Sequence, residues 1–423
     1  MKKNHIIFFA VSFFLCEMTQ SAFSQGIWVS EPSDSFSARY SYYTGVVNGM
    51  LYAIGGEEAF QIPIQEFDPA TQSWTTPGFT NEDSALFGGT SCTVGGKIYI
   101  VGGWDQGQMD SDLIVVDPAA RTLTRPATIG HFVPRASPAS AALGGLIYIF
   151  GGAKNYGPSQ PIDTIEVLDT STLTVKILKT TGPYSPAAGM SASVANGKIY
   201  LIGGQDSVGG TSNLVQIFDP ATNTWSQPTT TGYFASRAFH AAGVIEGKIY
   251  VAAGGNIAFD LGTIRSWTGS PDTNELQMFD PATNAWSTPK TTGILTSRTD
   301  LQGEVIDGKL YTLGGYRPHS PVNDFEVFTP VQSGVSQTTI GRSLVVFPNP
   351  TTRFVMLSGI QSDLRQIEVE NFIGVPVSII TPAISDAANG DLQLDLSRLQ
   401  PGAYFIRVEY LDGRSDLRSV VKE

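Results

Sequence analysis

The sequence predicts an all-β chain: a six-bladed β-propeller closed by an N-terminal strand, followed by a small C-terminal β-sandwich. Three observations predict it. The phrase Ile/Leu-Tyr-x-x-Gly-Gly, or a near variant, recurs six times around Tyr52, Tyr99, Tyr148, Tyr200, Tyr250 and Tyr311, at steps of 47, 49, 52, 50 and 61 residues, the period of a propeller blade. Five of these anchors are followed by Asp-Pro-Ala-Thr or a variant of it, at Asp68, Asp117, Asp169, Asp219 and Asp280, with a large apolar residue six positions on (Trp74, Leu123, Val175, Trp225, Trp286). The composition, 45 Gly and 25 Pro with only 15% charged residues, favours short strands and tight turns over helices.

Each repeat divides into a constant and a variable part. From the apolar residue to the next Tyr the distance is always 25, whereas from Tyr to Asp it runs 16, 18, 21, 19 and 30, so one loop per repeat absorbs the length variation. The periodicity gives four strands per repeat; in the fourth these are 191–194, 198–202, 214–219 and 224–227. Asn196-Gly197 is a hairpin signature, and Asp219-Pro220 opens the turn before the last strand. Trp28 stands 24 residues before Tyr52, while no Trp follows the last repeat's third strand at 325–328. Residues 27–31 are therefore expected to supply the fourth strand of the sixth blade and so remove two open sheet edges.

Residues 1–25 read as a signal peptide: Lys2-Lys3, an apolar run from Ile6 to Leu15 that is too short for a membrane anchor, and Ala22-Phe23-Ser24 as the cleavage site. The bulky Leu15 before Cys16 argues against a lipidation site. Cleavage leaves Cys92 as the sole cysteine, so packing rather than a disulfide must hold the fold. The propeller spans 26–330, a polar linker 331–342, and the β-sandwich 343–423, with seven short strands. The net charge is −12; residues 26–340 hold 16 basic and 27 acidic residues, with no basic run, which excludes a nucleic-acid partner.

The Tyr-x-x-Gly-Gly and Asp-Pro-x-Thr-x-x-Trp phrases resemble the Kelch family over roughly 27–330. The fifth repeat departs from it: Tyr250-Val251-Ala252-Ala253-Gly254-Gly255 shifts the glycine pair by one, and a bulge is expected there. The C-terminal region resembles the sorting domain of the type IX secretion system, in Phe347-Pro348-Asn349-Pro350-Thr351, Asn371-Phe372-Ile373-Gly374, 394–399, Pro401-Gly402-Ala403-Tyr404-Phe405 and Val420-Val421-Lys422. That resemblance implies periplasmic passage, export by the type IX machinery through 343–423, and a final place at the cell surface or in the medium of a Bacteroidota-type bacterium.

Thirteen residues before four of the Tyr anchors stand Arg39, Arg135, Arg237 and Arg298, with Leu86 and Ala187 in the other two places. The Kelch resemblance implies that such arginines can line the channel mouth and hold acidic ligand groups; alternatively each bonds carbonyls or an acid between blades. His240 and Asp300 fall on first strands and are candidates for acid/base work. In the variable loops Trp104, Tyr156, Trp267 and Tyr316 are candidates for stacking on a sugar or anchoring a protein. Three histidines remain after cleavage, none at metal-ligand spacing, so no catalytic set, metal or cofactor is assigned. A galactose-oxidase-like copper site would need a cysteine crosslink, and Cys92 falls on a first strand. The expectation is a secreted or surface propeller that binds a protein or glycan, acidic ligands included, at the channel mouth. The alternative is a carbohydrate-active enzyme, sialic acid mutarotase-like or galactose oxidase-like, with its site in the channel.

Overall fold

The computed structural model describes residues 25–56, 63–81, 86–105, 108–154, 161–255, 273–317, 320–331, 345–347, 349, 351–358, 364–371, 376–380, 391–410 and 415–422. The expected leader and linker fall almost wholly outside these. The chain divides into two compact units, 1–333 and 334–423, and among the described residues no helix is long and apolar enough to cross a membrane.

In the first unit, six two-residue turns set the first hairpin of each sheet: Asn48-Gly49, Gly95-Gly96, Gly144-Gly145, Asn196-Gly197, Glu246-Gly247 and Asp307-Gly308, with φ positive at both positions in every pair. That geometry matches the natural strand twist, and it fixes strand one against strand two in register, as in Ala195 opposite Lys198. The Asp of the second phrase folds onto its own turn: the Asp68 carboxylate accepts the Ala70 N–H at 2.8 Å, and Asp219 accepts that of Ala221 at 3.0 Å.

These units give five four-stranded sheets and a sixth of five strands. In the sixth, Gln25–Ser30 pairs antiparallel with Phe325–Val331, placing Trp28 opposite Phe328. Trp74–Phe67, Trp225–Phe218 and Trp286–Phe279 hold the same register in their own sheets, so the N-terminal strand takes the place of a fourth strand. The chain leaving each of the first five sheets runs parallel beside the outer strand of the next, as at Thr80–Thr122, Thr181–Thr224 and Thr231–Ala285, and so covers an edge that would otherwise offer unpaired backbone. Apolar side chains fill the spaces between sheets, for example Tyr148, Phe150, Phe218 and Trp225 in one cluster.

Adjacent sheets are joined by their glycine pairs. The second glycine donates its N–H to a carbonyl in the next sheet: Gly56 to Leu86, Gly103 to Arg135, Gly152 to Ala187, Gly204 to Arg237, Gly254 to Arg298 and Gly315 to Arg39, at 2.8–3.0 Å. The last of these links the sixth sheet to the first. At the first glycine a Cβ would stand 2.2–2.8 Å from the same carbonyls, as at Gly151 and Gly314, closer than real Cβ atoms come. The bulge expected in the fifth repeat does not form. Gly254 makes the standard link, the strands keep their register, and Ala253 occupies the first-glycine position at φ +57°.

The second unit has two sheets, one of Val345–Phe347, Phe354–Ser358 and Asp391–Asp395, the other of Leu364–Asn371, Pro376–Ile380, Gly402–Tyr410 and Ser415–Lys422. Val355, Leu357, Ile367, Val369, Ile406 and Val408 are buried together between them, a sandwich core.

Candidate functional site: the central channel and its mouth

The first strands of the six sheets surround a cavity of about 500 Å³. Hydroxyls line much of it, including Ser41, Thr44, Thr90, Ser91, Ser140 and Ser191. Part of this hydroxyl set stitches neighbouring strands together: Ser91 Oγ donates to the Thr44 carbonyl at 2.7 Å, and Thr90 Oγ1 lies 2.6 Å from Ser140 Oγ. Cys92 Sγ sits 3.1 Å from Ser140 Oγ, and burial pushes its thiol up to about 12, so its chemistry is that of a core residue.

The charged groups of the lining are acidic. Glu304, which the sequence reading passed over, accepts a hydrogen bond from Thr44 Oγ1 at 2.9 Å, and burial pushes its carboxyl up to about 7. Asp300, at the mouth, is pushed up to about 6 by burial, opposed by hydrogen bonds from Ser41. Among the described residues no Lys or Arg lines the cavity. The lining therefore offers an acidic ligand carboxyl groups and no cation, so the expectation of an acidic partner finds no support in it.

The four arginines serve a different purpose. Arg39, Arg135, Arg237 and Arg298 are at most 1% exposed and point into their own sheets instead of the channel. Arg135 donates to the carbonyls of Gly151 and Thr164 at 2.9 and 3.0 Å and to Glu166 at 2.7 Å; Arg298 reaches Glu326 at 2.5 Å. Gln65 receives Arg39 at 2.5 Å, and Gln277 receives Arg237. Burial lowers the Arg237 guanidinium to about 10, so it stays cationic at neutral pH. The expectation that these arginines line the channel mouth is corrected: buried charge needs partners at hand, and each has found them in its own blade.

A signal for this role was present in the sequence. Three residues before the Asp of the second phrase stand Gln65, Ile114, Glu166, Gln216 and Gln277, and the last third strand, which lacks that Asp, carries Glu326 as its second residue. Where the arginine is Leu86 the partner is Ile114, an apolar pair buried in one cluster. Where it is Ala187, Gln216 keeps the bonds to the preceding segment that Gln65 and Gln277 also make, here to the Ser185 N–H and carbonyl at 2.7 and 2.9 Å.

His240 lines the cavity but is only 7% exposed, with Nε2 2.9 Å from Ser191 Oγ. Burial, then the nearby Arg237, lowers it to about 3, and Nδ1 has no partner. A Ser–His pair whose second nitrogen is held by nothing, and whose cationic form is penalised, lacks the orienting group that activates a nucleophile. The acid/base role expected of His240 is therefore not supported by its surroundings.

At the mouth, six residues one turn before the first strands adopt positive φ: Ser41, Gly88, Ser137, Gly189, Phe239 and Asp300. Trp104 and Phe87 exchange backbone hydrogen bonds, as do Tyr316 and Thr299, so both aromatics stand beside residues that directly precede this ring. Each lies in a short hairpin, Trp104–Asp105 with Gln108–Met109 and Tyr316–Arg317 with Ser320–Pro321, and both remain partly exposed. Arg125 ties the first hairpin down through Asp105 and Asp110 at 2.7 and 3.1 Å. Tyr156 and Trp267 lie outside the described residues. Among those described, no group of three His, Cys, Asp or Glu side chains is arranged to hold a metal ion.

Comparison with known proteins agrees with this architecture. The KLHDC2/KLHL20/DRC7 Kelch-repeats domain matches residues 14–160 and 88–266, the Kelch motif matches 297–333, and the secretion system C-terminal sorting domain matches 345–422. The Rab9 effector protein with kelch motifs of Bos taurus is 30% identical over 169 residues, 37% of this chain and 44% of that protein, so the match spans less than half of that relative. With its repeats matched over more than half its length, the chain belongs to the Kelch-repeat family, as a β-propeller that carries a secretion-system sorting domain at residues 345–422.

Proposed function

We propose that the propeller is a binding module that holds a protein or glycan partner at its channel-mouth face, and that the sorting domain directs it through type IX export to the cell surface or the medium. The observation that carries this reading is the pair of partly exposed aromatics, Trp104 and Tyr316, fixed in hairpins beside the mouth ring. Rigid aromatic anchors around a concavity give large contact area at small entropic cost. The Bos taurus relative is by its name an effector of Rab9, which favours a protein partner. The acid-lined channel favours a neutral or basic group entering it.

The test is a glycan and peptide array carrying neutral, acidic and amine-bearing members, probed with the full mature chain and with Trp104→Ala and Tyr316→Ala. Binding to neutral or basic members that falls at least ~10-fold in the variants supports the reading, since truncating an interface anchor costs about 2 kcal/mol or more. Binding unchanged in both variants removes the mouth aromatics from the site. A second reading, an acid/base enzyme acting on a carbohydrate in the channel, has Glu304 in its favour, a carboxyl raised to about 7 beside a cavity. Turnover of a reducing sugar that Glu304→Gln abolishes would establish that reading instead.

A further inference from the structure

The mouth ring is closed by two kinds of link. Going round it, Gly88 N–H donates to the Ser41 carbonyl, Ser137 to Gly88, Gly189 to Ser137, Phe239 to Gly189 and Asp300 to Phe239, at 2.6–2.9 Å. Five junctions are thus backbone to backbone. At the sixth, between the last sheet and the first, Ser41 turns to a side chain: the Asp300 carboxylate accepts both its N–H and its Oγ–H. One junction of the six depends on an ionisable group.

The surroundings supply that group with no compensating charge. From the first sheet Tyr42 packs near it, with its hydroxyl given to the Leu313 carbonyl at 2.5 Å. The guanidiniums of Arg39 and Arg298 act on Tyr42 but are engaged by Gln65 and Glu326. The fifth sheet contributes the Phe239 carbonyl and His240, which is neutral. Further along its own strand stands Glu304, bonded to Thr44.

We propose that the Ser41–Asp300 pair is a proton-controlled latch at the seam of the propeller, where the channel mouth opens and closes. Closed, the carboxyl is buried and its titration is raised to about 6, with burial the cause; opened to water, it returns toward the ordinary aspartate value near 3.9. The closed latch therefore holds its proton more tightly than the open one. Acid favours closure, and the mouth loosens at the seam as the pH rises through about 6. The remaining five junctions carry no ionisable link and do not share this response.

Amide hydrogen exchange on the full mature chain tests this, with Ser41 compared against Gly88, Ser137, Gly189 and Phe239 after correction for intrinsic rates. Between pH 4.5 and 7.5 the opening constant at Ser41 is expected to rise on the order of 20-fold relative to the other four. In Asp300→Asn, which keeps a polar acceptor and tolerates positive φ, that relative change disappears. In Glu304→Gln it persists, which separates the latch from the second channel carboxyl. Ser41→Gly, compatible with the same backbone, is expected to speed exchange at position 41 at both pH values. A constant ratio between Ser41 and the other four amides in the native chain, or a pH response that survives Asp300→Asn, overturns the proposal.

Discussion

Blade three and blade two solve one packing problem in opposite ways. Blade three buries Arg135 against Glu166 and backbone carbonyls, whereas blade two places Leu86 and Ile114 at the corresponding positions. Both versions send the backbone carbonyl of that residue to the preceding blade's glycine, Gly103 N–H to Arg135 and Gly56 N–H to Leu86. The junction is thus a property of the backbone, and the side chain beneath it needs only to be satisfied. A buried ion pair and an apolar pair are alternative fillings, whereas half of either is costly.

The largest expected effect comes from breaking one filling. Arg135→Leu leaves Glu166 fully buried with its cation gone and is expected to destabilise the propeller by about 3–5 kcal/mol, read as a shift in the urea midpoint. Arg135→Leu combined with Glu166→Ile reproduces the pair of blade two and is expected to recover more than half of that loss. Equal losses in the single and double variants would mean that blade three has no room for the apolar solution.

The second effect concerns the channel, where carboxyls lie without cations. Glu304 is raised to about 7 by burial, so the folded state binds its proton more tightly than the unfolded chain. Its contribution is fully present below an unfolded pKa near 4.3 and is lost as pH rises through about 7. Glu304→Gln removes the titrating group and is expected to raise stability at pH 8 by about 1–3 kcal/mol, with the gap narrowing toward pH 4.5. Thermal melts across that range measure it; a gap independent of pH would show that packing, not charge, governs the site.

Much of the fold was legible in the sequence because it is repeated. Six copies of a turn and a glycine pair over-determine strands and registers, and Trp28 is placed by its spacing to Tyr52 alone. The arginines stayed open between the channel mouth and carbonyl or acid partners for the opposite reason. Their spacing fixes where their Cα atoms lie, beside the mouth, but not which way a long side chain turns, and only pairing them with residues 65, 166, 277 and 326 shows that it turns inward. Glu304 went unnoticed because nothing in its neighbourhood, Gly303-Glu304-Val305, distinguishes a channel-facing carboxylate from an exposed one.

The smallest effect sharpens the comparison at the glycine pairs. Five blades place glycine at the first position and blade five places Ala253, at φ +57° and fully buried. An L-residue in the left-handed region costs roughly 1–2 kcal/mol, because its Cβ approaches the following carbonyl. Glycine in the other blades avoids both that cost and the 2.2–2.8 Å approach to the next blade's carbonyl. Against this, Ala253→Gly frees the unfolded chain and removes a methyl from the cluster that holds Leu276, Leu301 and Phe328, which offsets part of the gain. The net expectation is a stabilisation of about 0.5–1 kcal/mol, seen as a small rise in the urea midpoint at constant slope. A loss of stability would show that blade five has repacked around the methyl, so that its departure from the repeat is an adapted contact and not a tolerated strain.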